Sequence, residues 1–206
     1  TLNMLKGSAA LGALSVDAGG VLDAALEEGD VDLASAAILG EATIILLHGD
    51  MGLHTPDAPF HIGPAGSLTL NMLKGSAALG TLSVDAGGVL DVILVAGDVD
   101  LASGDVAGIV TLNIGTGSLR AQGPGHVHID DGGSITLLMN AGDVLLGDVT
   151  VEDGGALHVS VHAGDMRLHE ARAMGGYHIT LLDGDYIVLD PDALMRLSTK
   201  GTHSFN

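Results

Sequence analysis

Short runs of alternating aliphatic and polar residues recur along nearly the whole chain. Between residues 144 and 161, Val144 and Leu146 alternate with their neighbours, then Val149 and Val151, then Leu157, Val159 and Val161, with glycine-bearing or acidic turns between the runs. A period of two over three to five residues, bounded by Gly, Asp and Ser, predicts β-strands rather than helices. The same register recurs at Val31 and Leu33 followed by Ala42, Ile44 and Leu46; at Val99 and Leu101 followed by Val110, Leu112 and Ile114; and at Met166 and Leu168 followed by Tyr177, Ile179 and Leu181. Three runs per unit predict three short strands and a roughly triangular cross-section.

The units are spaced regularly. Residues 1–35 and 69–103 match at 30 of 35 positions, differing only at Ala13/Thr81, Ala24/Val92, Ala25/Ile93, Glu27/Val95 and Glu28/Ala96. Inside that 68-residue offset lies a finer marker, Gly followed by Asp or Ser, at Gly7, Gly29, Gly49, Gly75, Gly97, Gly117, Gly142, Gly164 and Gly184, with gaps of 22, 20, 26, 22, 20, 25, 22 and 20 residues. Coils therefore come in triplets. Self-similarity at this period means that each unit buries its apolar side only by stacking on the next. The expectation is an all-β fold, a parallel β-helix or β-solenoid of about nine coils of 20–26 residues with three strands each. At about 4.8 Å per coil the rod is about 43 Å long. The solenoid should form one domain over residues 1–190, in triplets 7–74, 75–141 and 142–190, followed by an irregular tail, 191–206. The extra residues of the long coils fall in the Pro/Gly-rich stretches His54 to Gly66 and Gln122 to Gly133, expected as protruding loops.

Composition fits a narrow tube. Glycine contributes 32 residues, whereas Phe and Tyr contribute two each and Trp none; aromatic rings are too large to fill many positions inside so thin a core. Corner glycines suit turns that need positive φ, and the Asp or Ser that follows can bond nearby backbone amides. Net charge is −19, with 26 acidic against 7 basic residues, which argues against nucleic acid and anionic membrane surfaces as partners. Without cysteine there is neither a disulfide nor thiolate chemistry. Gly or Asp interrupts every apolar run well short of the roughly 18 residues of a membrane span, so membrane insertion is not expected. Residues Thr1 to Lys6 recur as Thr69 to Lys74, so the chain reads as an excerpt of something longer.

Coils written Gly-Asp-Val-x-Leu, as at Gly29-Asp30-Val31-Asp32-Leu33 and Gly97-Asp98-Val99-Asp100-Leu101, followed by a second Gly-rich corner, resemble filamentous-haemagglutinin-type repeats over roughly residues 7–189. Such repeats build large adhesins and contact-dependent toxins that Gram-negative bacteria export by two-partner secretion. The resemblance implies an extracellular or cell-surface location and a non-catalytic structural or adhesive role, with itself, other surface proteins or glycans as partners.

Candidate chemistry is of three kinds. The Asp column at Asp143, Asp165 and Asp185, which also includes Asp30, Asp50 and Asp98, could take calcium, since carboxylates one coil apart repel by about 0.9 kcal/mol even in water. Ser8, Ser76 and Ser118 share the column, and no Gly-Gly-x-Gly-x-Asp nonapeptide is present, so turn capping is the favoured role and no cofactor is expected. His158 and His178 fall at equivalent outward positions of adjacent coils, with His162 on the same strand as His158, a pair that could share zinc or nickel. Asp130, Asp131, Glu152 and Asp153, with Arg120 or Arg167, are the residues a polysaccharide-binding or polysaccharide-cleaving β-helix of the lyase or tailspike kind would use, though such a site would lack aromatic platforms for sugars. Finally Ile45, Leu47, Leu73, Ile93, Val95, Leu138 and Leu182 fall at outward positions where a monomeric solenoid should be polar. Ile45, Leu47, Ile93 and Val95 are therefore the expected self-association residues.

Overall fold

The computed structural model describes residues 1–53, 55, 58–121, 126–188 and 201–205. They form a parallel β-solenoid, and the described residues contain no helix. Every strand pairing is parallel, each strand lying on its equivalent about one coil later.

Each coil contributes to two sheets, A and B. Sheet A has ten strands, stacked in the order Leu2–Lys6, Val21–Glu28, Glu41–His48, Ser67–Met72, Val89–Ala96, Ile109–Thr116, Ser134–Ala141, Ala156–Ala163, Gly176–Asp183 and Gly201–Phe205. Its alternation never changes phase: Ala42, Ile44 and Leu46 point inward, as do Leu90, Val92 and Leu94, Val110, Leu112 and Ile114, and Leu157, Val159 and Val161. Stacking turns these sets into ladders, for example Ile44 on Leu70 on Val92 on Leu112 on Leu137. The core is purely apolar, and among the described residues no polar or charged residue is buried.

Sheet B is where the structure departs from three separate strands. In Val31–Ile38 the inward residues are Val31 and Leu33, then Ala36 and Ile38; in Val144–Val151 they are Val144 and Leu146, then Val149 and Val151. The spacing of two, three, two leaves a pair of adjacent non-buried residues, Ala34 and Ser35 or Gly147 and Asp148, at which inward and outward exchange. The chain turns its corner at this phase slip without leaving the hydrogen-bonded ladder, so the first and second expected strands join one sheet. In other coils the same corner is a break, as between Ala77–Ala78 and Thr81–Val84 or between Val99–Leu101 and Ser103–Val106.

Two features explain the unequal coil lengths. The 22-residue coils contain a four-residue turn, Asp17 to Gly20, Asp85 to Gly88 and Glu152 to Gly155, in which the last N–H donates to the first carbonyl and the third residue, a glycine, has φ of 76°, 89° or 90°. Positive φ at the third position is the mark of a type II turn and demands glycine. The 20-residue coils replace it with a tighter corner, as at Leu39-Gly40. The longest coils keep a four-residue turn, Gly63 to Gly66 or Asp130 to Gly133, and add residues at the sheet B corner, between Met51–Leu53 and Pro59–Ile62 or between Leu119–Ala121 and Val127–Ile129. The stretches expected as loops, 54–66 and 122–133, are therefore partly in-line strand: Pro59–Ile62 and Val127–Ile129 take their place in sheet B. His54 and Gln122 lie outside the described residues. Nor is the tail wholly irregular, because Gly201–Phe205 pairs with Tyr177 to Leu181 and extends sheet A.

Candidate functional site

The corner where each coil leaves sheet A is built around stacked glycines. Gly29, Gly49, Gly75, Gly97, Gly117, Gly142, Gly164 and Gly184 all have φ between 132° and 150°, a region closed to residues with a Cβ. They also approach closely: a Cβ on Gly97 would lie 1.7 Å from the carbonyl oxygen of Gly75. The Asp or Ser that follows faces outward and caps the neighbouring coil. Asp30 Oδ1 accepts the N–H of Asp50 at 2.9 Å, Asp50 Oδ1 that of Ser76 at 2.7 Å, Asp143 Oδ1 that of Asp165 at 3.0 Å, and Asp165 Oδ1 that of Asp185 at 3.0 Å. Capping thus runs between coils, not within one turn. The signal for it was the return of Asp or Ser at coil spacing, which places each side chain below the amide of its own equivalent.

This arrangement engages the Asp143 and Asp165 carboxylates expected to meet a metal, whereas Asp185 takes part through its N–H. Asp165 also lies 3.5 Å from Arg167, and Asp98 holds Arg120 at 2.7 Å. Partial desolvation works to raise the Asp98 pKa, but the Arg120 hydrogen bond, the Ser118 N–H and the Arg120 charge outweigh it and leave the carboxyl below its ordinary value. His158 and His178 do pair in register, with ring centroids 6.3 Å apart, and Thr180 Oγ1 lies 3.1 Å from His178 Nε2. Among the described residues, no group of three or more His, Cys, Asp or Glu side chains converges on a point that would hold an ion. Calcium or zinc added to the protein should therefore shift its melting temperature by less than a degree or so and give no sub-micromolar heat on titration. A tight isotherm lost with His178→Ala or Asp165→Asn would overturn this.

The acidic residues proposed for sugar chemistry sit on two stacked turns, Asp130 to Gly133 and Glu152 to Gly155, with the Asp131 carboxylate lying over Gly154. Their suggested basic partners are held at the start of sheet B. Arg120 bonds Asp98 and lies 3.6 Å from Asp100, while Arg167 faces Asp165. Nearer the turn, His128 lies 3.1 Å from Asp130, an imidazole–carboxylate contact that the sequence reading did not single out.

The outward side of sheet A is different in kind. Ile45, Leu47, Leu73, Ile93, Val95, Leu138 and Leu182 are all exposed, Val95 most of all at 51 %. Two columns organise this side over the five strands from Glu41–His48 to Ser134–Ala141. One reads Thr43, Thr69, Asp91, Thr111, Thr136; its neighbour reads Ile45, Asn71, Ile93, Asn113, Leu138. The next outward positions are Leu47, Leu73, Val95, Gly115 and Asn140. Across these three columns the only ionisable group is Asp91, in a chain with 26 acidic residues. Asp91 Oδ1 is buried at the atom level and accepts no hydrogen bond. At the first-coil end, a groove of about 410 Å³ extends the face between Asn3, Leu5, Ala25, Glu27, Ile45 and Leu47.

Comparison with known proteins adds nothing to this geometry: no family model, no curated protein and no solved structure matches the chain. The fold defines a class, the parallel β-solenoid repeat proteins.

Proposed function

We propose that the chain is a non-catalytic structural module, a rod segment of a large secreted or cell-surface protein that makes contact through the outer side of sheet A. The observation that carries this reading is the row of exposed aliphatics on a face with a single ionisable group, Asp91, on an otherwise strongly acidic solenoid. Depletion of charge at a surface patch is the compositional mark of an interface core, and contiguous exposed aliphatics mark contact surfaces. The Gly-Asp-Val-x-Leu coils support a filamentous-haemagglutinin-like stalk, adhesin or filament subunit, and the absence of cysteine is compatible with that setting. A stiff apolar core in which each coil caps the next suits a load-bearing rod better than a site that must adjust around a substrate.

The competing reading, a polysaccharide-cleaving β-helix, would rest on the Asp130 to Asp153 turns and needs a cation brought to them, whereas Arg120 and Arg167 are engaged on other carboxylates. The two readings separate in one experiment. Incubated with acidic and neutral polysaccharides, the protein should release no reducing ends and no unsaturated sugars, and small-angle scattering should give a stiff rod about 43 Å long. Turnover that disappears in Asp131→Asn or Glu152→Gln would sink the structural reading.

A further inference from the structure

We infer that the outer side of sheet A is the interface of a two-fold dimer in which a second copy of this chain packs face to face with its rod axis reversed. The inference rests on the reading of that side as a contact surface and names its occupant. Both central columns read nearly the same in either direction about the strand Val89–Ala96: Thr, Thr, Asp, Thr, Thr in one and Ile, Asn, Ile, Asn, Leu in the other. A two-fold axis lying in the interface along that strand keeps each column facing itself while reversing its order, as an isologous contact requires. Ile93 then meets the second copy's equivalent residue, Ile45 meets the equivalent of Leu138, and Asn71 meets the equivalent of Asn113, so aliphatics face aliphatics and amides can bond amides. In the flanking column Leu73 meets the equivalent of Gly115, a side chain over bare backbone. The parallel alternative, a two-fold axis along the rod, reverses the order of the columns instead, so at most one column can face itself; with the axis between the two central columns, the Thr and Asp column is set against the Ile and Asn column and the aliphatics lose their aliphatic partners.

Size is sufficient for a weak contact. Five strands at about 4.8 Å by the roughly six residues that three columns cover, at about 3.3 Å each, give roughly 475 Å² per chain, so the pair buries about 950 Å², close to the roughly 1,000 Å² expected of a specific interface and within the range of weak contacts. Asp91 is the one element that opposes the contact, because its carboxylate faces the second copy's across the axis. The dimer should therefore be weak as the sequence stands and strengthen when this charge is removed.

Sedimentation velocity on the full chain over a concentration series tests the inference. Wild-type protein should show a reversible monomer–dimer equilibrium. Ile93→Lys, which sets two cations face to face, should weaken it at least tenfold while leaving the circular dichroism unchanged, and Asp91→Thr should strengthen it several-fold. Because the chain has no cysteine, oxidative trapping reports the geometry directly. Ile93→Cys alone and the pair Asn71→Cys with Asn113→Cys should each give a covalent dimer, whereas Asn71→Cys alone should not. A strict monomer at high concentration, association indifferent to Ile93→Lys and Asp91→Thr, or trapping by Asn71→Cys alone would each overturn the two-fold dimer. None of these outcomes would bear on polysaccharide turnover, so the rod reading can stand or fall separately.

Discussion

Leu70→Asp is expected to unfold the coils on either side of it, while Asn71→Asp, one residue along the same strand, changes stability by no more than about 0.5 kcal/mol. Leu70 is 0 % exposed and lies between Ile44 and Val92 in the inward ladder, within a core of apolar side chains. A carboxylate there finds neither a cation nor a hydrogen-bond donor, because the described core contains no polar residue. Burying it costs several kcal/mol on top of the lost leucine, or forces the strand out of the tube. Asn71 points outward between Ile45 and Ile93. Since coils in a solenoid are stabilised mainly by their neighbours, the damage should be local at first. Amide hydrogen exchange should show lost protection in the strands Glu41–His48, Ser67–Met72 and Val89–Ala96, with the far coils retained. Equal loss from both substitutions would mean that the in–out register is wrong.

A second pair of substitutions should move stability in opposite directions although both replace glycine by alanine. Gly97→Ala places a methyl group 1.7 Å from the Gly75 carbonyl oxygen at a residue whose φ is 145°. The obstacle is backbone, which cannot swing aside, and the coil spacing would have to open where the Gly75 N–H bonds the Ala96 carbonyl at 3.0 Å. A loss of at least about 3 kcal/mol is expected. Gly104, by contrast, is buried in the inward ladder of sheet B between Leu82 and Val127, and a Cβ there meets nothing within 4 Å. It borders an apolar void of about 30 Å³ lined by Val106, Leu112, Val127 and Val149, among others. Alanine at this position fills part of the void and restricts the unfolded chain, for a gain of about 1 kcal/mol. Urea midpoints of the two variants should fall on opposite sides of the wild type. Similar losses from both would show that Gly104 is held by a constraint other than packing.

The contrast between these two glycines shows where sequence reading stops. Gly97 announces its role, since it precedes Asp98 at a fixed interval from Gly75 and Gly117, whereas nothing around Gly104 says that it stands where a large side chain would fit. The outward aliphatics were legible for the same reason as the ladders: a strict period of two assigns each residue a side, so Ile93 and Val95 had to face out once Val92 and Leu94 faced in. The two-residue slip at the sheet B corner was not legible as a continuous strand, because a broken alternation looks the same whether or not the hydrogen bonds carry on through it. Nor could the sequence place the imidazole of His128 beside Asp130, or set Arg120 between Asp98 and Asp100, since those contacts depend on which way side chains lie along a corner.

What the sequence determined by itself was the repeat, the inward ladders, the glycine corners and the outward aliphatics, all of which follow from local periodicity and from glycine's backbone freedom. What only the tertiary structure decided is visible in the duplicated segment. Ala9–Val16 runs as one strand, whereas its duplicate divides into Ala77–Ala78 and Thr81–Val84 around Gly80, which takes a φ of 57°. Segments alike in sequence part company because a coil takes its shape from the coils it is paired with. The strand Ala9–Val16 pairs with the continuous Val31–Ile38 alone, but the second copy lies between divided coils on both sides and follows them.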